Sequence, residues 1–189
     1  MLRVVAAVFA LLGAVVAFSV PAGGQETEPR SIVLIEVSGL LDPVEVSYIG
    51  QHLDAAAADG ALAIILQVNS PGDAVSDDEM LALLDEIEAT PIPVVVWIGQ
   101  SGAKALGGAA HLVTVADFAA MSTRTRVGDF GDLANPRAEE FRSFVDRVAG
   151  VDEAVEAGLV NGLAPLVGEL LLVMEARGVI DDISEPVEG

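Results

Sequence analysis

Residues 100 to 110 of the chain are Gln100-Ser101-Gly102-Ala103-Lys104-Ala105-Leu106-Gly107-Gly108-Ala109-Ala110. They follow the run Val94-Val95-Val96-Trp97-Ile98, whose β-branched residues predict a buried strand. Small residues let two backbone segments approach closely, so we expect a tight turn from this strand into a helix. In such a turn Gly108 either presents its amide to a ligand or serves close backbone packing alone.

Strand and helix patterns alternate along the chain on the N-terminal side of this turn. Runs rich in Ile, Val and Leu predict strands at 31–39, 61–68 and 91–99. The apolar positions of a first helix recur at helical spacing before Gly60: Val44, Ile49, Leu53 and Ala56. Ser76 and Glu79 have the spacing of a capping box at the start of a second helix, which the Thr90-Pro91 step ends. The alternation predicts an α/β layered fold with a mainly parallel sheet and crossover helices.

In this order the elements resemble the Clp protease/crotonase superfamily, and most closely the NfeD-type membrane-associated serine proteases related to signal peptide peptidase A. The likeness covers roughly residues 31 to 183. In that family one strand ends in a Pro-Gly-Gly turn, and a later strand ends in Gly-Ala-x-Ala-x-Ser-Ala-Gly, whose serine attacks the peptide bond. Pro71-Gly72 matches the start of the first turn and residues 102–106 match the second. The resemblance therefore places Gly107 at the position of the nucleophile.

The resemblance implies a catalytic site without its serine and without its base. NfeD-type enzymes use a neutral lysine downstream of the nucleophile, and residues 128–189 contain no lysine. Arginine cannot replace that lysine, because guanidinium stays protonated at ordinary pH. Asp73 stands where the family has its second turn glycine, and a carboxylate there opposes the developing charge of an oxyanion. Gly72 and Gly108 remain as the expected oxyanion-hole and groove positions.

The segment between Gly128 and Gly150 is shorter than in the active relatives that the chain resembles. It contains three arginines: Arg137, Arg142 and Arg147. We expect them to pair with neighbouring carboxylates on an exposed helix, namely Glu139, Glu140 and Asp146.

Other catalytic and ligand-binding residue patterns are weak. Ser101 and Lys104 have Ser-x-x-Lys spacing, which on a helix places the hydroxyl and the amine one turn apart, and they are the alternative nucleophile and base. His52 and His111 are expected to be structural or surface residues, since no ligand spacing supports a metal site. The chain has no cysteine, which excludes disulfides, thiolate catalysis and a lipid-modified N-terminal cysteine.

The composition narrows the classes of partner. The 189 residues carry a formal net charge of −20, and Lys104 is the one lysine. An acidic surface repels phosphate backbones, which argues against nucleic-acid binding. The scarcity of lysine also leaves little to bind the phosphates of an acyl-CoA, so we expect no cofactor.

The first residues have the pattern of an export segment. Arg3 precedes an apolar run from Val4 to Val20 in which Ser19 is the one polar side chain, and small residues follow at a plausible cleavage point. We assign residues 1–22 to a signal peptide or a retained signal anchor, 23–30 to a linker and 31–189 to a single domain. The protein is then extracytoplasmic, either secreted or anchored to the membrane.

Three functional hypotheses follow. The leading one is an exported, catalytically inactive relative that binds a peptide or a membrane-protein partner, for which the resemblance implies a stomatin-like protein. The second is an active serine peptidase that uses Ser101 and Lys104. The third is a scaffold subunit that forms a homo-oligomer or pairs with an active paralogue.

Overall fold

The computed structural model describes residues 31–180, so the predicted export segment and linker lie outside the described residues. Within this range the α-helices are α1 (Pro43–Ala58), α2 (Asp77–Ala89), α3 (Val151–Glu156) and α4 (Val167–Ala176). The strands are β1 (Ile32–Ser38), β2 (Ala63–Asn69), β3 (Val94–Ile98), β4 (Lys104–Leu106), β5 (Phe118–Met121), β6 (Arg126–Gly128), β7 (Val148–Ala149) and β8 (Gly162–Leu163). Two 3₁₀ helices span Gly107–Thr114 and Pro136–Phe144.

The main sheet has five strands in the order β1-β2-β3-β5-β8, and every neighbouring pair is parallel. Leu66 of β2 shows the register, because its neighbours are Ile35 on one side and Val96 on the other. Parallel neighbours require crossover connections, and α1 and α2 supply the first two. The predicted α/β fold with a mainly parallel sheet is confirmed.

The helices begin where short polar residues satisfy exposed backbone amides. Asp42 caps α1, with its Oδ1 accepting from the amides of Val44 and Glu45 at 2.8 Å each. The capping box predicted at Ser76 and Glu79 is present at the start of α2. The hydrogen bonds from Ser76 lower the pKa of the Glu79 carboxyl below its usual value.

Both faces of the sheet are covered by apolar side chains. On one face α1 and α2 contribute Ile49, Leu53 and Leu84 to a cluster that includes Leu66 and Val96. On the other face α4 packs Leu170 and Met174 near Trp97. The Trp97 indole donates to the carbonyl of Ala164 at 2.9 Å, which ties β3 to the C-terminal part of the domain.

A small second sheet, in the order β4-β6-β7, stands beside the main one and carries the glycine turn. Ser70, at the end of β2, joins the two: its amide donates to the Lys104 carbonyl at 2.7 Å, and its carbonyl accepts from the Leu106 amide at 3.2 Å. The turn after β2 and the turn after β4 are therefore held side by side.

The segment after β6 folds back over the small sheet, and its arginines differ from the prediction. Arg142 pairs with Glu139 as expected, with 2.7 Å between Nη2 and Oε2. Arg137 instead reaches Asp85 and Glu88 of α2, and Arg147 pairs with Glu153 of α3. The local pairing was wrong for these two because the chain reverses at this point and brings other elements closer. Between residues 31 and 180, no helix is both long and apolar enough to cross a membrane.

Candidate functional site

The glycine turn is held in a defined geometry by backbone hydrogen bonds. Gly107 has φ +59°, a left-handed conformation that favours glycine, and it begins the 3₁₀ helix Gly107–Thr114. Its amide donates to the carbonyl of Asp129 at 3.0 Å. The turn is therefore fastened to the residue that follows β6.

The structure brings Gly72, Gly107 and Gly108 together. A Cβ atom built on Gly107 would lie 3.1 Å from the Cα of Gly72, 3.2 Å from Oδ1 of Asp73 and 3.8 Å from the Asp73 amide nitrogen. The position that the resemblance assigns to a nucleophile thus faces the Pro71-Gly72 turn. The oxyanion-hole role of Gly72 and Gly108 stays a prediction.

The carboxylate of Asp73 contacts the backbone of the glycine turn directly. The Gly108 amide donates to Asp73 Oδ1 with 2.6 Å between nitrogen and oxygen. Hydrogen bonds from an amide to a carboxylate are shorter and stronger than those to a neutral acceptor. The amide just after position 107 therefore already has a negatively charged partner within the chain.

Ser101 and Lys104 do not form the helical pair that their spacing suggested. Ser101 lies in a turn, whereas Lys104 begins β4 and is the register neighbour of Arg126 in β6. The Ser101 hydroxyl accepts from Nε and Nη2 of Arg124 at 3.2 Å each, and Thr123 donates to it at 3.3 Å. The one-turn separation that a helix would give is therefore absent, because sheet pairing determines the backbone at Lys104.

Ser101 also faces a different part of the molecule from the glycine turn. It lines a polar cavity of about 260 Å³, together with Glu36 and Gln67 of the main sheet. Gly107 and Gly108 line a separate cavity of about 200 Å³ with Asp73, Asp77 and Asp132. The two sets of candidate catalytic residues therefore belong to different cavities.

A larger groove of about 700 Å³ adjoins the cavity at the glycine turn. Both are lined by Phe130, Gly131, Asp132 and Leu133, so they share a wall. The groove continues over Phe141 and Val145, and its surface is mainly apolar. It has the size and lining typical of a site for a small molecule or a peptide side chain.

His111 is one of the residues that line this groove, and its hydrogen bonds hold Phe130 and Asn135 in place. It is 1% exposed, its Nε2 donates to the carbonyl of Phe130 at 2.9 Å, and its Nδ1 accepts from Asn135 at 3.0 Å. Burial lowers the pKa of His111 below its usual value, while the Phe130 carbonyl and the charge of Asp73 oppose that shift. A neutral, buried and hydrogen-bonded imidazole is a structural residue, as the sequence predicted.

The cavity at the glycine turn is lined by acidic, apolar and glycine residues. The side chains that line its cavity include no serine, lysine or histidine, and the titratable groups among them are the carboxylates of Asp73, Asp77 and Asp132. Within the part of the chain that the structure describes, no group of three His, Cys, Asp or Glu residues is placed to hold a metal ion. The glycine turn thus has a small acidic cavity and, beside it, a larger and mainly apolar groove.

Sequence reasoning missed the groove and the contact of Asp73 with Gly108. The electrostatic conflict between Asp73 and an oxyanion was visible in the sequence, but the hydrogen bond was not, because it joins residues 35 positions apart. Phe130, Phe141 and Phe144 are all buried, and their concentration in a polar segment was the available signal for the groove.

Solved structures share this fold at low sequence identity. A membrane-bound stomatin-specific protease in complex with a substrate peptide has a TM-score of 0.66 at 20% identity, over 77% of this chain and 80% of that chain. A membrane protease specific for a stomatin homologue from Pyrococcus horikoshii has a TM-score of 0.64 at 20% identity, over 76% and 78%. An enoyl-CoA hydratase/isomerase family protein from Silicibacter pomeroyi has a TM-score of 0.64 at 15% identity, over 79% and 78%. Neither a family model nor a curated protein matches the sequence.

Proposed function

We propose that this chain, which has the Clp protease/crotonase fold, binds an apolar peptide segment of a partner protein without cleaving it. The observation that carries the proposal is the apolar groove of about 700 Å³ that adjoins the Gly107 turn. A groove beside an unreactive turn supports binding, because burial of apolar side chains needs no nucleophile.

The lining of the groove sets the kind of peptide that fits. Phe130 and Phe141 form its buried part, and Leu133 is half-buried at its wall. Fully burying one Leu or Phe side chain of a ligand contributes about 1.5 to 3 kcal/mol before the cost of ordering the peptide. We therefore expect a segment rich in Leu, Val or Phe, bound with modest affinity.

A stomatin-like membrane protein is the partner that we propose. Two of the solved neighbours are described as specific for stomatin or a stomatin homologue, and one of them holds a substrate peptide. The export pattern at residues 1–22 supports a location at or beyond the membrane, where such a partner is accessible. In this proposal the chain binds the peptide of its partner without cleaving it, because position 107 has no serine.

The first test measures peptide binding by a variant in which a bulky side chain at an exposed position fills the groove. Ala134 is exposed and lines the groove, so Ala134→Trp fills it with little effect on the core. Ala55→Trp, on the exposed face of α1, adds the same side chain elsewhere. With the full chain and a fluorescent, C-terminally amidated peptide rich in Leu and Val, we expect Ala134→Trp to lose at least about tenfold in affinity. Unchanged binding in Ala134→Trp would remove the groove from the proposal.

The catalytic arm uses a fluorophosphonate probe at mildly alkaline pH, with adducts located by mass spectrometry. We expect no adduct, because the cavity at Gly107 contains no serine. A stoichiometric adduct on Ser101 would instead support the alternative of a peptidase with a non-standard nucleophile. A solution mass of several protomers, without peptide binding, would favour the scaffold alternative.

A further inference from the structure

The hydrogen bond between Asp73 and Gly108 is a long-range contact of an exposed side chain. Asp73 comes from the turn after β2, and Gly108 is the second residue of the 3₁₀ helix Gly107–Thr114. Other carboxylates that bind backbone amides here serve the ends of elements: Asp42 and Glu79 at helix starts, and Asp117 beside the start of β3. Asp73 also binds an amide at a helix start, but it does so from a turn 35 positions away, and that amide lies in the wall of a cavity.

The geometry shows what the carboxylate excludes. Asp73 Oδ1 lies 2.6 Å from the Gly108 nitrogen and 3.2 Å from the Cβ position of residue 107. A carbonyl or carboxylate oxygen of a ligand that approached this amide would have to occupy the same volume. Even a Cβ atom on Gly108 would come within 2.5 Å of Oδ1. The oxygen of a ligand and the oxygen of Asp73 therefore cannot bind the amide together.

We propose that Asp73 blocks a binding position in its own chain. Its carboxylate occupies the place that a ligand oxygen would take at the Gly108 amide, and it thereby excludes anionic groups from that place. A ligand carboxylate reaches the amide only when the Asp73 side chain is removed or turns away. A ligand carboxylate would also be repelled by the charges of Asp77 and Asp132, which line the same cavity. The site as it stands accepts apolar and neutral groups and rejects acids.

The inference concerns the same site as the proposed function, but it rests on the backbone contact and does not require that a peptide binds. Its experiment therefore uses acetate, the carboxylate group alone, and follows the Gly108 amide by NMR in the full chain. Loss of peptide binding in Ala134→Trp and loss of the acetate response at Gly108 are separate observations. Failure of one proposal is thus distinguishable from failure of the other.

Three variants distinguish the effect of the Asp73 hydrogen bond from the effect of the negative charge. Asp73→Ala removes both, Asp73→Asn keeps an oxygen acceptor without the charge, and Asp132→Asn removes a charge from the same cavity without touching Gly108. Asp73 and Asp132 are both exposed, so none of the three changes disturbs the core. All three should fold like the parent chain.

We expect Asp73→Ala to move the Gly108 amide proton upfield, because a short bond to a carboxylate is lost. Acetate should then bind at this amide at least about tenfold more tightly than in the parent chain, and return the proton downfield. Asp73→Asn should show little acetate response, and Asp132→Asn should match the parent. The proposal is overturned if Asp73→Ala leaves the Gly108 proton unmoved, or if acetate affects the parent and Asp73→Ala equally.

Discussion

Gly107 and Gly72 lie so close that a Cβ atom on residue 107 would stand 3.1 Å from the Gly72 Cα. Two turns that are 35 positions apart in sequence therefore meet at a point where neither has a side chain. The close approach depends on both glycines, and it determines how the site responds to a restored serine.

Gly107→Ser should lower the free energy of unfolding by about 2 kcal/mol and should not confer peptidase activity. A residue with a side chain at φ +59° costs about 1 kcal/mol, and the contact with Gly72 adds a similar amount. Gly60→Ser is the control, since Gly60 has φ +69° and open space around it. Urea denaturation and fluorophosphonate labelling measure the two effects. Equal losses in both variants, or a stoichiometric adduct on residue 107, would contradict this expectation.

Gly128→Ala should be more damaging than any other single alanine in the turns around the site. Gly128 has φ +132°, and a Cβ there would overlap the Arg147 carbonyl and lie 3.0 Å from the Cα of Val148. We expect a loss of about 3 kcal/mol or a failure to fold. Gly131→Ala, with φ +65° and nothing within 4 Å, should lose only about 1 kcal/mol. Fluorescence of the buried Trp97 reports unfolding, and similar losses in the two variants would show that β7 is not packed on β6 as described.

Acidification should destabilise the fold through His111. Its pKa is lower in the folded state than its usual value of about 6.5, so the unfolded chain binds more protons below that pH. Stability from the neutral imidazole is therefore present above about pH 6.5 and is lost as the pH falls, with a limiting slope of about 1.4 kcal/mol per pH unit. In His111→Gln the unfolding free energy should change less between pH 7 and pH 5.5. An identical slope in the parent and His111→Gln would exclude this histidine as the cause.

Arg137→Gln should loosen the wall of the groove more than it destabilises the whole domain. Arg137 donates to Asp85 at 2.7 Å and to Glu88 at 3.0 Å, and so joins the 3₁₀ helix Pro136–Phe144 to α2. Partly exposed ion pairs contribute about 1 kcal/mol or less, so the global effect is small. Limited chymotrypsin digestion should nevertheless cut the segment 130–145 faster. Arg142→Gln breaks only a local ion pair, with Glu139 in the same segment, and should leave the cutting rate unchanged.

The fold was largely predictable because its signals are local. The Ser76–Glu79 capping box and the strand at 94–98 appear where the sequence placed them. The second strand runs from Ala63 to Asn69, close to the expected 61–68. Hydrophobic runs and caps act over a few residues, so a single sequence contains them in full.

The site was less predictable because its contacts join distant residues. Local charge spacing suggested wrong partners for Arg137 and Arg147, which reach other helices instead. The Ser101–Lys104 spacing would bring the two side chains together only on a helix, but Ser101 lies in a turn and Lys104 pairs with Arg126 in a sheet. Such contacts depend on where the chain returns in space, which residue spacing alone does not contain.

The strand order β1-β2-β3-β5-β8 also bears on how fast the chain acquires its structure. Its five strands are all parallel, so the large sheet contains no hairpin that could form early from neighbouring residues. Each pairing has to close a loop that includes a crossover, and sheets built from such distant pairings fold slowly. A newly made chain would therefore remain extended for some time after its first residues emerge. That interval would suit the export that we propose from the pattern of residues 1–22, since a chain that is still unfolded can be threaded across a membrane.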